Sequence, residues 1–511
     1  MTAPAGEESR QDLRLVPAAL TSWGTTAAGI LWGPAAAAGV VVGTVGVAAT
    51  AAWHYRRRSS RGVAAWPAVV AVAIVGAAFW IAVALRVHDL EHHPLTERYG
   101  TTAEVVVVPV ETPRVLGGAR MMFRGEMTTI DGRTLSGRVV VFASVVGYGD
   151  LTAGRPAAFR ARIARPLRRD LTVAVLSAAG PPKLGDASVI QRRAASVREA
   201  FATSARAVLP VDQAAMVPAL VLGDTSALSG RTSDEFRVAG LTHLMAVSGA
   251  NVTIVCGAVL LTAFVVGPRV AVALAGLALT AFVIVVQPSA SVLRAAVMGA
   301  ITLVAVVSHR RRQAIPALSA CVLTLMIAAP ELAVDVGFAL SVSATAALVV
   351  VAPVWSRRLV DRGWPKPLAD AVSVAVAAQL VTAPLVAGVS GRFSVISVVA
   401  NLAVAPVIPP ITVIGTGAAA LSAIWPAGAR LLIRFTGPET WWLLRVAHWG
   451  SALPGAAVPV PSGLAGVLVV ATATLGSVVL WRWRWGRRGL GVAALCVLAW
   501  AVSGGHDTIG A

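Results

Sequence analysis

Lysine, acidic residues and cysteine are scarce in this sequence, and each scarcity excludes something. Only Lys183 and Lys366 are lysines among the 43 basic residues, and 24 acids leave a net charge of +19 carried by arginine. Neither lysine follows a glycine-rich run, so the chain signals no phosphate-cradling ATP motor of its own. Cys256, Cys321 and Cys496 lie in apolar runs and share no metal-ligand spacing, which argues against a disulfide framework or a zinc site. There is no His-Glu-x-x-His, and no Gly-x-Ser-x-Gly elbow. His88, His92 and His93 lack carboxylate or cysteine partners at a recognised spacing and read as a juxtamembrane turn. No metal and no cofactor are expected. Charge itself is sparse: 13% of residues are charged, against about 25% in soluble chains.

What is present is hydrophobic sequence. Apolar residues make up 57% of the chain, and mean hydropathy is +0.76. The apolar runs are long and recurrent, as in a polytopic membrane protein. Three open the chain, at 15–32, 35–53 and 66–85. The polar start, 1–13, carries two glutamates and does not resemble a cleaved signal peptide. Arg56, Arg57, Arg58 and Arg61 separate the second run from the third, which places that short loop in the cytoplasm. The third run then delivers the chain to the outer side.

A polar region, 87–211, follows. Strand-like runs at 103–110, 121–130, 137–144 and 157–163 are separated by Gly117-Gly118, Asp131-Gly132 and Gly147-Tyr-Gly-Asp150. Asp131-Gly132 is a good hairpin turn. A small barrel of about five strands, OB-like, fits this pattern. The region has 17 basic and 11 acidic residues, a surplus that topology does not require of a long external domain. One reading is a solvated basic surface. The other is contact with a phosphate backbone through Arg124, Arg133, Arg138, Arg160, Arg162, Arg168 and Arg169. Beyond it, 188–209 is helical and amphipathic, suited to a membrane surface. The run 214–222 is too short to span and suits a re-entrant segment.

A second apolar block has candidate spans at 241–266, 270–286, 291–307, 315–329, 334–351, 368–388, 395–424, 464–480 and 490–500, with a weaker one at 431–453. Three arginine clusters, at 310–312, 357–358 and 482–488, can all lie inside if 431–453 spans. Trp481, Trp483 and Trp485 alternate with arginine there, like an interfacial belt. Pro406, Pro409 and Pro410 break the run 395–424, either as a kink or hairpin or as a broken helix facing a cavity.

Polar residues in these runs are costly, and so are candidates for function. The sharpest set is Gly240-Leu-Thr-His-Leu-Met-Ala-Val-Ser-Gly-Ala-Asn251, at the entrance to an apolar run. On one continuous helix His243, Ser248 and Asn251 would fall within an arc of roughly 140°. Gly249 could open the helix to a lumen. The plainer alternative is hydrogen-bond glue between helices. Arg294 either snorkels or binds phosphate at a channel mouth. Gly337, Ser341 and Thr345 recur at fourfold spacing, which suits close helix packing, and Gln379, Thr382 and Pro384 make a similar polar notch, followed downstream by Asn401.

Four phrases together resemble the ComEC/Rec2 family of DNA-internalisation competence proteins. They are the stretch from Gly240 to Gly249, Ser291-Val-Leu-Arg-Ala-Ala-Val-Met298, Pro330 to Ser341, and Gln379-Leu-Val-Thr-Ala-Pro384 leading to Ala400-Asn-Leu-Ala-Val-Ala-Pro406. The resemblance covers nearly the whole chain. It departs at Asn251, where many relatives carry a histidine, and after the last apolar run, where the metallo-β-lactamase-like domain of long members is not found. The fold it implies is a polytopic α-helical membrane protein with an inserted OB-like extracytoplasmic barrel. Its divisions are N-terminal helices at 1–86, the barrel at 87–185, a connector at 186–236 and a channel domain at 237–511. The resemblance implies a multi-pass protein of the cytoplasmic membrane that passes single-stranded DNA during transformation and is not an enzyme. The implied partners are the lipid bilayer, a separate DNA receptor, a nuclease and a cytoplasmic ATP-driven translocase; a homo-oligomer is left open. On this reading His243, Ser248, Gly249, Asn251, Arg294, Ser341, Gln379 and Asn401 line or gate the passage. Two alternatives stay open: a transporter of another anionic polymer or lipid-linked envelope precursor, and an intramembrane hydrolase using Ser248.

Overall fold

Alternation of apolar and polar residues in the polar region builds six strands: β1 (Thr102–Pro109), β2 (Arg114–Gly117), β3 (Arg120–Ile130), β4 (Arg133–Ser144), β5 (Ala157–Ala164) and β6 (Ala174–Leu184). The computed structural model describes residues 12–58, 66–111, 113–117, 119–149, 151–245, 247, 249–263, 266–287, 289–307 and 313–480. Ser248, the arginines at 310–312, the Trp-Arg segment from 481 and the run 490–500 lie outside the described residues. The described chain divides into two compact units, one within Met1–Ala195 and Val259–Ala339, the other within Ser196–Ala258 and Leu340–Ala511.

In the first unit five strands close on themselves in the order β1-β5-β6-β4-β3-β1, with β2 added to β3 as a short hairpin. All pairings are antiparallel except β4 with β6. Closure leaves the five-stranded wall without a free edge. Inward positions supply the core, including Val105, Val107, Phe123, Met127, Val141, Phe159, Ile163 and Leu176. The turn between β3 and β4 is Asp131-Gly132, with φ of +46° and +78°. Those angles suit the twist of a two-residue hairpin, and aspartate and glycine tolerate them. The Asp131 carboxylate accepts from the Glu104 amide at 3.0 Å and from Arg98 at 2.5 Å.

β6 was not legible in the sequence, because Gly180-Pro181-Pro182 reads as a breaker. In the structure Ala158 pairs with Lys183 and Arg160 with Ala179. The two surplus residues bulge out of the ladder, which is where a strand can hold proline.

Tyr148 is fully buried in this core, its ring edge-on to Phe159 at 5.6 Å between centroids. Its hydroxyl has no hydrogen-bond partner among the described residues. Burial pushes the phenol up to about 12 from its ordinary 10.0. The fold holds Tyr148 neutral while the unfolded chain ionises it. Stability from this group is therefore intact below about pH 10 and lost as pH rises toward 12. Tyr148→Phe is expected to leave stability unchanged or raise it by about 1 kcal/mol, because an orphan hydroxyl disappears. Thermal unfolding of the purified protein at pH 7 checks this; a clear loss would mean the hydroxyl is bonded.

A bundle of helices belongs to the same unit as the barrel. Val16–Trp32 packs on Pro34–Arg58, Trp66–Glu91 and Ala314–Ala328. It buries Thr21, Ser22, Thr25 and Thr26, with Ser22 and Thr26 hydroxyls returned to backbone carbonyls one turn earlier. Trp23 donates to Ala333 O at 2.9 Å and packs edge-on against Phe338. The barrel is tied to these helices by an Arg138–Glu331 ion pair, by Arg169 donating to Leu31 O at 3.1 Å, and by His93 bonded to Ser136 O at 2.9 Å.

Among the described residues five helices are long and apolar enough to cross a membrane: Pro34–His54, Trp66–Arg98, Arg269–Val286, Val336–Val360 and Lys366–Ser390. A sixth is added if the bent pair Ser397–Val404 and Ile408–Ser422 is one span; the bend is 54°. It falls at Pro406, where the sequence indicates a break. Two expected spans are corrected. The run 431–453 is two helices, Pro426–Phe435 and Gly437–Ala452, parted at Thr436 just before Pro438. The run 241–266 becomes helical only from Gly249.

In the second unit Val211–Leu222 is buried from Ala214 onward and packs on Ile408–Ser422 and Gly437–Ala452. Lys366–Ser390 packs on Leu464–Leu480. Two three-residue strands, β7 (Arg392–Ser394) and β8 (Ala457–Pro459), pair at the end of Lys366–Ser390.

Candidate functional site

The segment that opens at Gly240 is a folded turn as far as Met245, not the start of a long helix. The helix Gly230–Val238 ends at Ala239, and Gly240 follows with φ of +73°. A side chain at Gly240 would place its Cβ 2.5 Å from both Cβ and Oγ of Ser397. Glycine is therefore required here twice, for its backbone conformation and for the close approach. Leu241 is fully buried and its amide bonds back to Phe236 O at 2.8 Å. A single 3-10 turn, Thr242–Met245, comes next, and its His243 is exposed. His243 and Asn251 thus do not share one helical face: the turn between them breaks the 100° progression that the sequence reading assumed.

Gly240 rests on a polar network built from two other segments. Ser397 Oγ donates to Gln379 Oε1 at 2.9 Å, and Gln379 Nε2 donates to Ser394 O at 3.4 Å. Asn401 Nδ2 donates to Ser397 O at 2.8 Å and approaches its Oγ at 3.3 Å. Ser394 Oγ donates to Val238 O at 2.8 Å, next to the turn. The structure thus brings Gln379 and Asn401 together with the Gly240 turn, through Ser394 and Ser397. Sequence reasoning missed both serines. Ser397 was visible in principle, because it stands four residues before Asn401 and so on the same helical face.

Asn251 is buried, 5% exposed, two residues inside the helix that Gly249 opens. Its Nδ2 donates to Leu220 O at 2.9 Å. Leu220 lies in the last turn of Val211–Leu222, where carbonyls have no donor from within the helix. The Asp224 amide, which could have served it, bonds Pro218 O instead. Asn251 therefore ties two apolar helices by satisfying a buried carbonyl.

Ser341 accepts through its carbonyl from Thr345 Oγ1 at 2.8 Å, inside Val336–Val350. Asp335 begins that helix, accepting from the Phe338 amide at 2.8 Å, an N-cap. Arg294 belongs to the first unit. It is 7% exposed, with Nη1 3.2 Å from Met298 Sδ, and Cys321 Sγ donates to its carbonyl at 3.5 Å.

Beside the Gly240 turn lies a cavity of about 350 Å³, lined by Val238, Arg392, Ser451, Ala456 and Pro459 among others. Near it Glu235 accepts from Arg231 Nε and bonds His448 Nδ1, both at 3.0 Å. Burial pushes the Glu235 carboxyl up, but the hydrogen bonds and charges of His448 and Arg231 together outweigh it and hold it below its ordinary value.

The seven barrel arginines separate into two groups. Arg124, Arg133, Arg160 and Arg162 are exposed on the outer wall, with Arg160 opposite Glu104 and Arg162 opposite Thr102 across the β1–β5 ladder. Arg138 and Arg169 are engaged with Glu331 and Leu31 at the barrel's base, and Arg168 is exposed beside them. Among the described residues no cluster of three or more metal-ligating side chains occurs.

A family model described as Competence protein matches residues 220–485. No curated protein matches the chain, and no solved structure does.

Proposed function

Because this chain belongs to the competence-protein family, we propose that it is a membrane channel that carries single-stranded DNA inward during natural transformation. The observation that carries the proposal is the packing of the Gly240 turn on the Gln379–Ser397–Asn401 network. Three polar segments from a strongly apolar sequence meet there and satisfy one another. Polar side chains at such depth are expensive, and they gather where a passage must be shaped. The break at Pro406, five residues after Asn401, supports the same reading, since irregular backbone in a membrane faces protein or a water-filled cavity.

In this proposal the barrel is OB-like and lies outside the cytoplasmic membrane. Its five-strand closure supports the first point. The second is supported by its attachment to the helix ends opposite the arginine-rich loop at Arg56–Arg58. Arg124, Arg133, Arg160 and Arg162 hold phosphates without reading sequence. His243, Ser248 and Gly249 form the entrance; Gln379 and Asn401 brace it, Asn251 and Ser341 hold helices of the same unit, and Arg294 serves within the other unit. A receptor, a nuclease and an ATP-driven translocase act beside the chain.

The test is entry of labelled DNA into a nuclease-protected compartment, in competent cells with and without the gene. Deletion should abolish protected DNA while surface binding persists, and His243→Ala should reproduce the deletion at normal protein level. Unchanged protected DNA on deletion overturns the proposal.

A further inference from the structure

The loop between β5 and β6 runs Arg165-Pro-Leu-Arg-Arg-Asp170. Leu167 is 100% exposed, so it packs on nothing among the described residues. The loop is nevertheless fixed. Asp170 Oδ1 accepts from the Thr172 amide at 3.2 Å, and Leu171 holds a φ of +63°, a conformation that L residues adopt only when the surroundings impose it. Arg169 donates to Leu31 O at 3.1 Å, which fastens the loop to the last turn of Val16–Trp32.

That helix end has the marks of a membrane boundary. Trp32 is 70% exposed there, and Trp80 donates to Pro34 O at 2.9 Å. At the other end of the same bundle stand Trp53 and Trp66, both exposed, with the Arg57 guanidinium 3.5 Å from the Trp53 ring centroid. Nineteen residues separate Pro34 from Trp53 in the intervening helix. At 1.5 Å per residue that is about 28 Å, close to the ~30 Å hydrocarbon thickness of a bilayer. Two tryptophan girdles at that spacing are how a helical bundle marks its two interfaces.

We propose that residues 165–170 form an interfacial anchor, with Leu167 seated in the upper acyl region and Arg165 and Arg168 on lipid phosphates. The anchor fixes the height and tilt of the barrel over the membrane. Arginine next to a buried aliphatic residue suits this boundary, because its stem lies along apolar surface while its guanidinium reaches the headgroups. A nucleic acid would use the same arginines, but leucine offers a base no aromatic face to stack on. The position of Leu167 at the girdle favours lipid.

The inference rests on the membrane placement proposed above, and the test separates the two. In full-length protein with Cys256, Cys321 and Cys496 replaced by alanine, Leu167→Cys, Ile74→Cys and Val146→Cys each receive a nitroxide label. Ile74, 63% exposed midway along Trp66–Glu91, reports the bundle, and Val146, 80% exposed, reports the barrel away from that helix end. In phospholipid nanodiscs, collision with oxygen against a water-soluble nickel chelate reads the depth of each. The expected result is oxygen-dominated relaxation at 74, an intermediate value at 167 and nickel-dominated relaxation at 146. A nickel-dominated value at 167 with oxygen dominance at 74 overturns the anchor alone. Nickel dominance at 74 overturns the membrane placement and the anchor with it. A label at 167 that is shielded only when single-stranded oligonucleotide is added, and not by lipid, transfers the loop to the DNA-binding surface.

Discussion

Gly240→Ala is expected to lower protected-DNA uptake about a hundredfold while the protein still accumulates in the membrane. Two costs combine. An alanine held at φ +73° loses about 1–2 kcal/mol relative to glycine. Its Cβ would also sit 2.5 Å from Ser397, an overlap that forces backbone movement at a typical cost of 1–3 kcal/mol. Together these approach 3 kcal/mol, and each 1.4 kcal/mol is a factor of ten in the population of the native turn. The turn presents His243, and its displacement pulls on Ser397, Gln379 and Asn401 through bonds of 2.8–2.9 Å. The double-mutant cycle isolates the contact. In a Ser397→Gly background the overlap is gone, so Gly240→Ala should cost about tenfold rather than a hundredfold. Equal costs in both backgrounds would show that the packing of Gly240 on Ser397 does not matter to uptake.

The legible part of the fold was whatever rests on periodicity or on a turn with one chemical solution. Asp131-Gly132 between two alternating runs could only be a tight hairpin, and it is one. Four strands were readable because valines and phenylalanines alternate with arginines and glutamates. β6 was hidden because a bulge, decided by pairing with β5, makes Gly-Pro-Pro acceptable. The polar residues of the second apolar block were legible as anomalies, since each costs too much to be idle. Their partners were not legible. Nothing local in Asn251 says that it will serve Leu220, thirty-one residues earlier, because the need arises from where a different helix ends. Nor does Gly240 name Ser397, which approaches it only after Lys366–Ser390 and the turn at Gly391 have folded back. The composition fixed which groups had to be satisfied; only the packing fixed by whom.

The same distinction governs the barrel arginines. Seven were readable as one basic set, and the structure separates the four on the outer wall from the three at the barrel's base, of which Arg138 and Arg169 are engaged there. If Arg124, Arg133, Arg160 and Arg162 each neutralise one phosphate of a single strand, they contribute about −0.7 each to the slope of log affinity against log salt. The four together supply a slope near −2.8, so raising salt from about 50 to about 200 mM should weaken binding about fiftyfold through them. Replacing all four with alanine should flatten the dependence by that amount, measured as retention of a labelled single strand by the full-length protein in detergent. Asp131 does not cancel this set, because Arg98 already occupies its carboxylate at 2.5 Å. Arg138→Ala is the discriminating control. Its partner Glu331 is part of the protein, so its loss should lower thermal stability and leave the salt slope as it was. If Arg138→Ala flattens the slope as much per residue as the exposed four, the barrel's charge acts as a diffuse field and not through placed contacts. Opposite effects of the two groups would mean that the outer wall of β5, β1, β3 and β4 is the surface that receives the strand, and that the base of the barrel is fastened to the apolar helices for another purpose.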